Sequence, residues 1–270
     1  MSAPVPPGSW PGIVGLVGAG AMGRALAAGL VRGHEGLATR LRVADAVPAA
    51  VEAGVAETGG LPATLDEAAA ADLVCVAVKP TAAEAALAAV AAAARPGAVV
   101  LSVIAGWDLD RLAATAPGVA LVRTMPNLAV RHGAGIVAVA TRGLDEARAA
   151  DVAALLAPLG TVVPLHESLF GAATALAGSG PGLMALVAEG LEEGAVAAGL
   201  GRADARRLVA GVVAGTAALL ADGTDPAALR QRVSSPAGTT IAALGVLERG
   251  AVRAHLADAV VAAARRADSL

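Results

Sequence analysis

The amino-acid sequence predicts an α/β protein: a doubly wound, mainly parallel sheet over residues 11–163, followed by an all-α region over residues 164–270. Three features carry this. Short apolar runs alternate with alanine-rich helical stretches in the first half, strand patterns stop after about Pro164, and Gly18-x-Gly20-x-x-Gly23 falls between an apolar run and a helix.

The expected strands are Ile13–Val17, Leu41–Ala44, Leu73–Val78, Ala98–Val103, Ala120–Val122, Gly135–Ala140 and Thr161–Val163, each a brief run rich in Val, Leu or Ala. Between them, Thr64-x-x-Glu67 and Thr81-x-x-Glu84 fit the capping box, in which two side chains satisfy two orphan backbone donors reciprocally. Pro96-Gly97 ends the helix that the second of these opens. The later region reads as helices over Leu169–Ala177, Pro181–Ala198, Arg202–Ala221, Thr240–Arg249 and Gly250–Ala267, with no internal repeat at a fixed period.

A chain of 270 residues suits one domain with a smaller partner. Hydrophobic residues make up 56% and aromatic ones 1%, and alanine alone exceeds a quarter, so the core must be close-packed Ala, Val and Leu. Against 23 Asp and Glu stand 20 Lys and Arg, a net charge of −3 that provides no field for holding nucleic acid. The single cysteine, Cys75, permits no intrachain disulfide and lies in an apolar strand without an activating neighbour; it reads as a buried small apolar group in a cytoplasmic protein. A mean hydropathy of +0.68 raises the question of a membrane span. The uncharged stretch Ser168–Ala188 is long enough, but Gly178-Ser179-Gly180-Pro181-Gly182 interrupts it and Glu167 and Glu189 flank it, so no membrane role is expected. Met1–Trp10, with three prolines and no basic start, reads as a flexible tail rather than a signal peptide.

The glycine pattern has a mechanical meaning. Gly18 permits a tight turn, Gly20 close approach of a pyrophosphate, and Gly23 close packing of helix on strand, while the helix N-terminus at Ala21 and Met22 offers free N–H groups. Twenty-two residues after Gly23, Asp45 ends the second strand, where a carboxylate can accept hydrogen bonds from an adenosine ribose; the alternative is an ordinary helix cap. Asp45 tilts the expected cofactor from NADPH towards NADH, although Arg40 and Arg42 are near. Lys79, the only lysine, follows an apolar strand in Val78-Lys79-Pro80 and is expected to point into the cofactor crevice rather than plain solvent. In the helical half, Ser234-Ser235-Pro236-Ala237-Gly238-Thr239-Thr240 leads into a helix and suits a carboxylate, or else is a simple hydroxyl-rich cap.

Taken with Gly18–Gly23, Val78-Lys79-Pro80, Arg123-Thr124-Met125-Pro126-Asn127 and Gly178-Ser179-Gly180-Pro181, that loop resembles the signature of pyrroline-5-carboxylate reductases, in order and approximate spacing from residue 13 to about 250. The resemblance implies an N-terminal Rossmann domain, a helical dimerisation domain, and reduction of the cyclic imine Δ1-pyrroline-5-carboxylate to proline with NADPH or NADH. It also implies roles. Gly18, Gly20, Ala21, Met22 and Gly23 would meet the pyrophosphate, and Val78, Lys79, Pro80, Ala105 and Asn127 the nicotinamide side. Ser234, Ser235, Gly238, Thr239 and Thr240 would hold the small imine carboxylate, with Thr240 and Lys79 serving the chemistry. The chain departs from the family pattern at Ala237, at Leu128-Ala129-Val130, at Ala177 and at Gly182-Leu183. These departures surround the expected ring pocket, so a different cyclic imine stays open as substrate, as does a dinucleotide-binding protein without turnover. A β-hydroxy-acid dehydrogenase shares the plan but needs a lysine that the helical half lacks.

Orientation is expected to dominate the rate, because a cyclic imine is basic enough to be largely protonated near neutrality and a threonine hydroxyl is a poor lone acid. No two of the four histidines have metal-ligand spacing, so no metal is expected; His132, the one near a motif, reads as a loop residue, and Trp107 and Phe170 as packing anchors. Helices apolar around much of their circumference cannot cover one another in about 100 residues, which predicts a homodimer or an oligomer of dimers with its site completed near the subunit boundary.

Overall fold

The computed structural model describes residues 12–269, so the Met1–Trp10 tail lies outside the described residues. The chain divides into two units, residues 12–178 with 264–269, and residues 179–263.

The first unit is an eight-stranded sheet wrapped by helices. In chain order it comprises β1 (Val14–Val17), α1 (Ala21–Gly33), β2 (Leu41–Ala44), α2 (Pro48–Thr58), β3 (Leu61–Pro62), α3 (Leu65–Ala69), β4 (Leu73–Val76), α4 (Ala83–Ala93) and β5 (Val99–Ser102). It continues with α5 (Leu109–Thr115), β6 (Ala120–Pro126), β7 (Gly135–Arg142), α6 (Glu146–Leu156), β8 (Gly160–Pro164) and α7 (Phe170–Ala173). The strand order is β3-β2-β1-β4-β5-β6-β7-β8, and every pairing is parallel except β6 with β7. The order reverses between β1 and β4, which opens a crevice beyond their carboxyl ends.

Alternation along the strands feeds two cores. Val14 and Leu16 face one layer with Leu26 and Leu30 of α1 and Leu155 and Leu156 of α6. Val17 and Val76 face the other with Leu87 and Val90 of α4, Leu112 of α5 and Phe170 of α7. Buried side chains in both layers are overwhelmingly Ala, Val and Leu, the low-bulk packing that the composition requires. Cys75 is among them, and burial pushes its thiol up to about 12.

Several boundaries differ from the sequence expectation. The strand from Leu73 stops at Val76, placing Lys79 beyond it, whereas the strand from Ala120 runs four residues past Val122 to Pro126 because antiparallel pairing with β7 carries it on, Thr124 opposite Val139 and Pro126 opposite Val137. The capping box at Thr64 is present, and hydrogen bonds from Thr64 hold the Glu67 carboxyl below the ordinary range. The one expected at Thr81 is not: Pro80 starts a 3-10 turn, α4 begins at Ala83, and Ala82 caps it without a side-chain bond. Two elements escaped the sequence reading. The strand β3 has two residues, one a proline at the sheet edge. A helix at Pro226–Arg232, described below, is capped by Asp225, which accepts the N–H groups of Ala227 and Ala228.

The second unit is helical: α8 (Gly180–Ala197), α9 (Arg202–Ala221), α10 (Pro226–Arg232), α11 (Thr239–Arg249) and α12 (Val252–Asp268), whose last turn belongs to the first unit. Among its described residues only Ala205 is buried, while Leu186, Leu208, Val212, Ile241 and Val246 are largely exposed. Five helices without a core of their own leave apolar faces that another surface must cover. The stretch Glu167–Ala197 is long and apolar enough to cross a membrane. A π-helical turn over Thr174–Gly178 leads into the glycine-rich segment expected to break the stretch, and that segment forms the cap at Ser179 and the first turn of α8.

Candidate functional site

The glycine loop is built as a cradle. Gly18 has φ +99°, a conformation that a side chain would strain, and a Cβ at Gly23 would lie 2.0 Å from the Gly18 carbonyl oxygen, so α1 can start there only with glycine. At Gly20 a Cβ would meet nothing within 4 Å: the backbone faces open space where a ligand can approach. Gly20 caps α1 without a side-chain bond and the first turn carries no acid, which leaves its N–H groups and the positive end of the helix dipole to an anion. These features fit a pyrophosphate.

Asp45 is wired into this loop. Its Oδ2 accepts the Ala19 N–H at 2.7 Å and its Oδ1 the Val47 N–H at 2.9 Å. The residue capping α2 is Val47, two residues beyond Asp45. Each oxygen keeps a lone pair for a ribose hydroxyl. Arg24 sits on the same loop, where it donates to the Ala19 carbonyl at 2.7 Å and pairs with Glu57 at 3.3 Å, while Arg40 and Arg42 donate to the Gly12 and Thr39 carbonyls.

On the other side of the crevice, Val78 is half-buried and Lys79 and Pro80 are exposed at the turn after β4. Ala105 is half-buried just past β5, where Thr124 Oγ1 donates to the Ser102 carbonyl at 3.1 Å and ties β5 to β6. Asn127 is buried at the end of β6, and both ends of its amide serve the protein: Nδ2 donates to the Ala177 carbonyl at 3.1 Å and Oδ1 accepts the Ala129 N–H at 3.1 Å.

Beside Ala105 lies a cavity of about 320 Å³ that sequence reasoning missed, lined among others by Arg123, Met125, Glu167, Thr174 and Asp268. Arg123 is largely buried, pairs with Glu167 and stacks its guanidinium 4.4 Å from the centre of the Phe170 ring. Glu167 Oε1 also accepts the Leu109 N–H at 3.1 Å. The only sequence signal for this pair was an acid and a base in otherwise apolar surroundings, 44 residues apart. Trp107 and Phe170 are buried anchors, and Arg111 stacks 3.9 Å over the Trp107 ring. His132 is exposed, and among the described residues no three His, Cys, Asp or Glu side chains are placed to hold a metal.

In the second unit, Ser234 Oγ donates to the Arg230 carbonyl at 2.7 Å and finishes α10. Ala237 then adopts φ +57°, left-handed backbone that costs an alanine where a glycine is at ease. A Cβ at Gly238 would lie 2.4 Å from Ser235 Oγ and 3.0 Å from the Ser235 carbonyl oxygen, so a side chain there would have to turn the Ser235 hydroxyl aside. Gly238 caps α11 with no side-chain bond, and the hydroxyls of Thr239 and Thr240 make no hydrogen bond to the described residues. Free N–H groups and two hydroxyls at a helix start suit a carboxylate.

The model for pyrroline-5-carboxylate reductase dimerisation matches residues 167–270, and the one described as NADP oxidoreductase coenzyme F420-dependent matches residues 13–106. A pyrroline-5-carboxylate reductase of Synechocystis is 40% identical over 202 residues, 74% of this chain and 75% of that one. One of Arabidopsis thaliana is 36% identical over 264 residues, 95% of each chain. Among solved structures, the Plasmodium falciparum pyrroline carboxylate reductase with NADP bound superposes with a TM-score of 0.86 at 23% identity, covering 97% of this chain and 99% of that one. With its glycine cradle, its helix-start loop and this likeness over nearly its whole length, the chain belongs to the pyrroline-5-carboxylate reductase family.

Proposed function

We propose that the protein reduces Δ1-pyrroline-5-carboxylate to proline with a reduced nicotinamide nucleotide. The observation that carries this reading is the pair of backbone cradles, Gly18–Gly23 shaped for a diphosphate and Gly238–Thr240 for a small carboxylate, in a chain of this family. The reduced nicotinamide, when bound, supplies the hydride that the imine carbon accepts. The residues of the chain do the rest. The first turn of α1 holds the diphosphate, and Ala105 with the turn at Lys79 borders the ring. Backbone N–H groups and hydroxyls at the start of α11 fix the carboxylate, and Thr240 holds the ring nitrogen, which carries the proton from solvent. Lys79, in this reading, adds positive charge on the nicotinamide side and is not the proton donor.

Asp45 supports NADH as the preferred nucleotide, because a 2′-phosphate would meet its carboxylate while Arg40 and Arg42 donate to the Gly12 and Thr39 carbonyls. Residues 11–163 serve as the dinucleotide-binding module and 164–270 as the dimerisation and substrate module. The exposed apolar helices of the second unit, matched by the dimerisation model, support a homodimer or larger oligomer of dimers rather than a membrane as their cover; a monomer in sedimentation at micromolar concentration overturns that. One buried cysteine suits a cytoplasmic address.

The test is nucleotide oxidation with a panel of five- and six-membered cyclic imines, each with NADH and NADPH. Fastest turnover with pyrroline-5-carboxylate is expected. Preference for another ring favours the second reading, which Ala177, Gly182 and Leu183 support by removing hydroxyl and aromatic groups expected near the ring. Nucleotide binding without turnover of any imine overturns both.

A further inference from the structure

The Glu167 carboxylate is a node in the first unit. Its Oε1 takes both the Arg123 guanidinium and the Leu109 N–H. Arg123 lies four residues before Asn127 on β6, and Leu109 four residues after Ala105 at the start of α5. Glu167 itself opens the segment that leads through α7 and the π-helical turn to Ala177, whose carbonyl receives the Asn127 amide at 3.1 Å. The loop is therefore closed twice. One closure is ionic and stacked on Phe170; the other is the Asn127 amide, and between them run the two chain ends assigned above to the nicotinamide side.

A surface ion pair would contribute little and move nothing when cut. This one is different in three respects: Arg123 is largely shielded, its guanidinium stacks on an aromatic ring, and Arg123 Nε and Glu167 Oε2 are buried with no partner among the described residues, so cutting the pair leaves a shielded charge without its counter-charge. Its cavity wall is shared with Ala105 and Thr174. We propose that Arg123 and Glu167 are positioning residues that fix the nicotinamide-side strand ends, setting hydride-transfer geometry without touching the nucleotide or the imine. This rests on the function proposed above, and it adds a dependence of rate on a pair that belongs to neither cradle.

The experiment uses full-length Glu167→Gln, Glu167→Ala and Arg123→Lys. Glutamine keeps an acceptor for the Leu109 N–H but drops the ionic bond, and lysine keeps the charge but drops the planar stack. Because displacement of reacting groups by a fraction of an ångström is costly, kcat is expected to fall about tenfold in Glu167→Gln and further in Glu167→Ala, while nucleotide Kd stays within about twofold. The primary isotope effect with 4-deuterated NADH rises in the same order. Anisotropy of bound NADH fluorescence, read with no imine present, falls as the ring gains freedom. Wild-type kcat, isotope effect and anisotropy in folded Glu167→Gln and Arg123→Lys, with only a lower Tm, overturn the proposal. If Glu167→Ala does not fold, the other two variants decide. If the wild-type chain reduces no imine, the proposed function fails, and the NADH anisotropy alone judges the brace: a fall in the variants supports it and no change overturns it.

Discussion

The carboxylate of Asp45 accepts the backbone N–H of Ala19 at 2.7 Å, so the residue just after the second strand holds the glycine loop that follows the first. A charged acceptor for a backbone donor contributes about 1.5–3 kcal/mol. Asp45 thus has a mechanical duty besides any hydrogen bond to ribose. Replacing it with alanine removes repulsion of a 2′-phosphate and also frees the loop, so NADH affinity is expected to fall about tenfold. NADPH does not gain what NADH loses. Calorimetric titration checks this, and a variant binding NADPH as tightly as the wild type binds NADH would show that the loop needs no tether.

Thr240 stands in the first turn of α11 with a hydroxyl that bonds to none of the described residues. Thr240→Ala is expected to lower kcat by about ten- to a hundredfold, the scale of a lost orienting contact in the reacting complex, with nucleotide Kd unchanged. Thr240→Ser restores much of it. Steady-state kinetics beside nucleotide titration separates the two effects, and full activity in the alanine variant removes Thr240 from the mechanism.

Ala237 is held at φ +57°, immediately before the glycine that caps α11. A side chain there costs about 1–2 kcal/mol, against which the extra freedom of an unfolded glycine sets about 0.5–1 kcal/mol. Ala237→Gly is therefore expected to raise stability by up to about 1 kcal/mol in denaturant titration. A loss of stability would mean that the loop relies on the methyl group.

Cys75 lies in the central strand β4 with its thiol raised from 9.0 to about 12 by burial. A raised acid binds its proton more tightly in the folded chain, so the contribution is intact below pH 9 and is lost as pH rises towards 12. Stability is expected to fall faster above pH 9 in the wild type than in Cys75→Ala, and the native thiol to resist alkylation until the chain unfolds. Equal alkaline slopes in the two proteins would contradict the burial account.

How far the sequence reveals this molecule depends on the range of the interaction. Gly18, Gly20 and Gly23 were legible because their meaning is set by the strand before and the helix after, all within a dozen residues. The Thr64 box was legible for the same reason. Thr81 misled because Pro80 already fixes where the helix can begin, and a proline at the first position outranks a threonine behind it. The end of β6 was hidden by its polar residues Arg123 and Thr124, which an antiparallel neighbour draws into the sheet. Least legible was the Glu167 node, where one carboxylate meets groups 44 and 58 residues away; nothing local in the sequence selects those partners. Residue types at Ala237 showed a departure from the family pattern, but its positive φ belongs to the folded turn.

At the centre of the account stands direct delivery of hydride to the carbon of the carbon–nitrogen double bond. The most direct measurement supplies NADH deuterated at the transferable position of C4 together with unlabelled pyrroline-5-carboxylate, and examines the product by mass spectrometry and NMR. The account predicts proline carrying one deuterium, at C5. Proline without the label, or no proline from any nucleotide, would contradict it.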